Sequence, residues 1–103
     1  MHPEIAEKRE KLAELCRSHD VARLEIFGSA ARAADFDPEN SDADFLVKFR
    51  RINGQAPLEQ YFDFAEALRQ TLGRPVDLVE SGAVRNPYLQ AAINKSRQLI
   101  YAA

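Results

Sequence analysis

The apolar residues of this chain switch repeatedly between a period of two and a period near 3.6, which within 103 residues predicts one domain of alternating helices and strands. Leu24 and Ile26 alternate with Arg23 and Glu25 until Gly28 stops the run, predicting a strand over 21–27. The same alternation puts Ala43, Phe45, Val47 and Phe49 on one face of a second strand, with Asp42, Asp44, Leu46 and Lys48 on the other. A third, short strand follows Pro75 as Val76-Asp77-Leu78-Val79. Between them lie helical spacings: Ile5, Leu12, Leu15 and Cys16 over 3–18, a short stretch over 30–34 followed by a loop, and Leu58 to Leu72 after Pro57. Asn86 and Pro87 open a last helix that carries Leu89, Ile93 and Ile100 inward. The predicted order is α-β-α-β-α-β-α, an α/β (α+β) chain forming a single domain over 1–103, with no internal repeat and no long linker.

Composition narrows the function classes. A hydrophobic fraction of 46% supports one core, and no apolar run is long enough to span a bilayer, so a cytoplasmic address with no membrane partner is expected. A net charge of -2 lacks the basic surplus that drives sequence-independent binding to nucleic acid, so direct contact with it is not expected. The lone Cys16 reads as a small buried side chain. Tyr61, Phe62 and Phe64 read as helix core, Tyr88 and Tyr101 as packing of the last helix, and His2 and His19 as surface.

Chemistry is concentrated in one constellation: Gly28-Ser29 directly after a strand, Asp42-Ala43-Asp44 opening the next, and Asp77 within a third. Residues two apart in a strand point to the same side about 7 Å from each other, so Asp42 and Asp44 present two carboxylates to one volume. Asp77 among Val76, Leu78 and Val79 needs compensation, either by a salt bridge to Arg74 or Arg85 or by a cation. Oxygen-only ligation suits Mg²⁺ or Mn²⁺, and a pair of such ions suits displacement at phosphorus. Gly28 permits a tight turn, while backbone N–H groups and the Ser29 hydroxyl at a helix start can hold the phosphates of a nucleoside triphosphate.

Gly28-Ser-Ala-Ala-Arg32, Ser41-Asp-Ala-Asp-Phe-Leu-Val47 and Arg74-Pro-Val-Asp-Leu-Val79, in this order and followed by Arg85-Asn-Pro-Tyr-Leu89, resemble the minimal nucleotidyltransferase (MNT) family of the DNA polymerase beta superfamily. The resemblance spans roughly residues 5 to 102, with 12 residues between Ser29 and Asp42. It implies a nucleotidyltransferase fold, a small mixed β-sheet with helices packed mainly on one side. It also implies a MgATP site in which Asp42, Asp44 and Asp77 hold two metal ions and carry catalysis. Gly28 and Ser29 would bind the nucleotide, with Arg32 as a further nucleotide-binding candidate.

MNT proteins of this size are similar to antitoxins paired with a HEPN-domain ribonuclease toxin, whose family activity is transfer of AMP from ATP to a toxin tyrosine. The resemblance therefore implies a protein adenylyltransferase that neutralises a cognate HEPN toxin. Two alternatives stand beside it: an antitoxin acting by occlusion without catalysis, and nucleotidyl transfer to a small-molecule hydroxyl at a site completed by self-association. So small a domain buries little surface, which favours association with a partner or with itself.

Overall fold

The computed structural model describes residues 1–28, 31, 42–50 and 57–103. The expected helix over 30–34 and loop over 35–41 therefore lie outside the described residues, except Ala31, which is helical and buried.

Helices α1 (Pro3–Ala6) and α2 (Arg9–Ser18) replace the single helix expected over 3–18. The chain turns at Glu7 and Lys8, where the Lys8 ammonium donates to the Thr71 carbonyl at 2.8 Å and ties the turn to the distant helix α3 (Pro57–Leu72). Strands β1 (Val21–Phe27) and β2 (Ala43–Phe49) occur where the alternation predicts them. Strand β3 (Val76–Glu80) begins just after Pro75 and leads through a 3-10 turn, Ser81–Ala83, to helix α4 (Pro87–Ser96). Asn86 caps α4 as expected, its side chain accepting from the amides of Tyr88 and Leu89.

The last segment departs from expectation. Helix α4 ends at Ser96, and Gln98–Ala102 forms a fourth strand, β4, antiparallel to β1. Arg97 adopts extended backbone, and Ile100 reaches the core from a strand. The physical reason is that β1, paired with β2 along one edge only, would otherwise leave a row of backbone donors and acceptors unpaired beside the core.

The sheet is mixed, with order β3-β2-β1-β4: β1 is antiparallel to both neighbours, and β2 and β3 are parallel. One face carries the main core, in which Leu24, Ile26, Phe45 and Val47 pack with Ile5, Leu12 and Cys16 and with Phe64 and Leu68 of α3. The opposite face carries a smaller cluster of Phe27, Leu46 and Ile93 of α4, with Val79 and Val84 against it. Helices thus lie mainly on one side, as the resemblance implies, and α4 alone of the described helices contributes to the second cluster. No helix among the described residues is long and apolar enough to cross a membrane.

Several packing expectations change. Phe62, expected in the core, is 55% exposed because it lies on the outer side of α3, whose inner face is taken by Phe64, Ala65 and Leu68. Tyr88 and Leu89, expected to pack, are exposed at the first turn of α4, whereas Tyr101 does pack against the core. His2 caps α1 through Nδ1, and His19 lies against the Phe64 ring at 5.6 Å rather than on open surface. Cys16 is fully buried, and burial pushes its thiol up to about 12.

Candidate active site

The adjoining ends of three neighbouring strands assemble the site. Phe27 of β1 is the register partner of Asp44 in β2, and Asp44 is in turn the partner of Asp77 in β3. The Ala43 amide donates to the Pro75 carbonyl at 3.2 Å, fixing the starts of β2 and β3 side by side. Asp44 and Asp77 therefore occupy adjacent positions on the face that carries Leu46 and Phe27, with Asp42 immediately before the start of β2. Parallel pairing does what neither strand's sequence shows: it sets Asp77 directly beside Asp44.

Burial grades across this group. Asp44 is half-buried, whereas Asp42 and Asp77 are exposed. The desolvation anticipated for Asp77 within an apolar run does not arise, because β3 is an edge strand and its residue 77 faces solvent; a buried salt bridge is not the explanation for this carboxylate. Arg74, one of the bridge candidates, pairs with Glu4 at 3.0 Å.

Gly28 follows β1 directly with φ +71°, in the left-handed region. A Cβ at this position would stand 2.5 Å from Asp44 Oδ2, so the missing side chain is what allows the turn to lie against the carboxylate. The Gly28 amide donates to Ser96 Oγ at 2.9 Å, across from the buried end of α4. This amide is therefore engaged within the protein. Ser29 and Arg32, the other nucleotide-binding candidates, lie outside the described residues.

A second charged feature stands next to this turn. Glu25, at 4% exposure in the central strand β1, accepts from Arg97 at 2.6 and 2.7 Å and from Arg23 at 2.9 Å. The bidentate Arg97 contact, reinforced by Arg23, holds the Glu25 carboxyl below its ordinary range despite the opposing effect of burial, and the same contact raises Arg97. Alternation with Leu24 and Ile26 suggests an outward Glu25; in the fold it is buried, with Arg97 just past the end of α4 and Arg23 of β1 bonded to it. The inward position of Ser96, three residues after Ile93, is the one sequence signal that could have singled out the serine.

The donor set of Asp42, Asp44 and Asp77 is all hard oxygen, suited to Mg²⁺ or Mn²⁺. No group of three or more His, Cys, Asp or Glu side chains among the described residues is gathered tightly enough to hold a metal ion. Carboxylate oxygen suits such an ion in chemistry, and the register places Asp44 directly beside Asp77.

Residues 10–103 match the family described as Polymerase beta, Nucleotidyltransferase. The chain belongs to that family. Two Methanocaldococcus jannaschii relatives, each named a "putative protein adenylyltransferase", are 36% and 34% identical over 98 residues, covering 95% of this chain and 91% of each relative. A solved structure described as a "putative minimal nucleotidyltransferase" superposes with a TM-score of 0.73 at 31% identity, covering 95% of both chains. A Shewanella oneidensis complex of an MNT antitoxin with a tri-AMPylated HEPN toxin shares the fold, with a TM-score of 0.65 at 17% identity, covering 95% of this chain and 72% of that one.

Proposed function

We propose that this chain, acting as a single minimal nucleotidyltransferase domain, is the antitoxin of a HEPN ribonuclease toxin. It neutralises that partner by transferring AMP from ATP to a tyrosine hydroxyl. The observation that carries the proposal is the register that sets Asp44 between Phe27 and Asp77, with Gly28 against the Asp44 carboxylate. The relatives named as protein adenylyltransferases support a protein acceptor, and the fold shared with an MNT antitoxin bound to an AMPylated toxin supports the kind of partner.

In this reading Asp42, Asp44 and Asp77 would hold two Mg²⁺ ions, which would neutralise phosphate charge and sharpen the acceptor hydroxyl. Asp77, exposed at the sheet edge, is open to an acceptor approaching from solvent and takes the phenol proton. The phenol oxygen bonds to the α-phosphorus, the bond from that phosphorus to the bridging oxygen breaks, and pyrophosphate leaves with the electron pair. Gly28, with Ser29 and Arg32, would keep the triphosphate in line with the attack.

The test is intact-mass spectrometry of the candidate toxin after incubation with this chain, ATP and Mg²⁺, beside an Asp42→Asn, Asp44→Asn variant. The expected result is a gain of one or more AMP units that the variant does not produce. A stable complex with no mass gain would replace catalysis by occlusion. No complex at all would reopen transfer to a small-molecule hydroxyl.

A further inference from the structure

Ser96 lies in none of the motifs that define the site, yet its hydroxyl is the acceptor for the Gly28 amide, 68 residues away in the chain. It is buried, at 9% exposure, on the last turn of α4. The adjacent Arg97 grips Glu25 of β1 with two charge-assisted hydrogen bonds, while Ile93, one turn earlier, is buried against Phe27 and Leu46. The end of α4 is thus fixed to β1 on both sides of the serine, which gives the hydroxyl a rigid mounting. Gly28 in turn has φ +71° and leaves only the space of a missing Cβ between itself and Asp44. A glycine in this conformation has many alternatives once its amide is released, because no side chain restricts it.

We propose that Ser96 is a positioning residue of the nucleotide site: by holding the Gly28 amide it keeps the left-handed Gly28 seated against the Asp44 carboxylate. The proposal rests on the nucleotidyltransferase reading given above and adds a residue to it. Ser96 touches neither nucleotide nor acceptor; it acts through Gly28.

The test compares the wild-type chain with Ser96→Ala and Ser96→Thr, the latter retaining the hydroxyl. Two quantities are read: hydrogen exchange of the Gly28 amide in the unliganded protein, and affinity for α,β-methylene-ATP with Mg²⁺ by calorimetry. Ser96→Ala is expected to speed Gly28 exchange and weaken nucleotide binding about tenfold, the scale of one lost hydrogen bond, with Ser96→Thr restoring both. A serine that only supported the fold would lower thermal stability and leave nucleotide affinity unchanged, and that outcome overturns the proposal. Unchanged Gly28 exchange in Ser96→Ala overturns it as well. Absence of nucleotide binding by the wild-type chain sinks the nucleotidyltransferase reading together with this one, and is distinguished by its independence of residue 96.

Discussion

Replacing Gly28 by alanine separates the cost of backbone geometry from the cost of crowding a carboxylate. The new Cβ would stand 2.5 Å from Asp44 Oδ2, where ordinary contact begins at 3.4 Å, so the carboxylate must retreat by about 0.9 Å. A left-handed backbone with a side chain costs roughly 1–2 kcal/mol, and for a domain of this size each kcal/mol lowers Tm by about 4–8 °C. A displacement near 1 Å at a reacting centre costs on the order of 100-fold in rate. Gly73 supplies the control: it has φ +66° just after α3, and a Cβ there meets nothing within 4 Å. Gly28→Ala and Gly73→Ala are therefore expected to lose similar thermal stability, while Gly28→Ala alone loses about 100-fold in transfer of labelled AMP. Adenylyl transfer is measured on the folded fraction, with melting followed by circular dichroism. Equal activity losses in the two variants, or a wild-type rate in Gly28→Ala, would refute the role given to the contact with Asp44.

Arg97→Leu strands the buried Glu25 carboxylate with Arg23 alone, and urea unfolding at neutral pH should show a loss of about 2–3 kcal/mol. That is below the cost of breaking a fully enclosed pair, because Arg97 is 34% exposed and Arg23 remains. The pH dependence has a definite sign. Glu25 is lowered from 4.5 in the folded chain, so its contribution is complete above that value and is lost as pH falls through the lowered folded value; Arg97→Leu should flatten this acid limb of the stability curve. At the other end of the scale, Cys16 is buried with its thiol raised to about 12, so a thiol reagent at pH 8 should label it only at the rate of unfolding; fast labelling of the native chain would contradict its place in the core.

Much of the fold was legible because local periodicity and punctuation agree. β1 and β2 alternate cleanly, α3 runs between Pro57 and Gly73, and Asn86-Pro87 marks the start of α4. The candidate site was legible as three separate fragments, since the glycine turn and the aspartates each carry a local signature. What failed to show was whatever depends on which strand lies at an edge. Ile100 fits both a helix continuing from Ile93 and a strand, and the open edge of β1 makes it a strand. Asp77 looks buried within its own run, and the edge position of β3 exposes it.

Local pattern was enough for the long helix α3, the start of α4, the first three strands, the glycine turn and the spacing of Asp42 to Asp44, because these follow from side-chain periodicity and the backbone preferences of glycine and proline. Tertiary structure alone decided that Asp77 joins Asp44, that Glu25 is enclosed by Arg97, and that Ser96 holds the Gly28 amide. Those are contacts between residues 33 to 72 positions apart, and their energy exists only once strand pairing and the burial of α4 have brought the partners together.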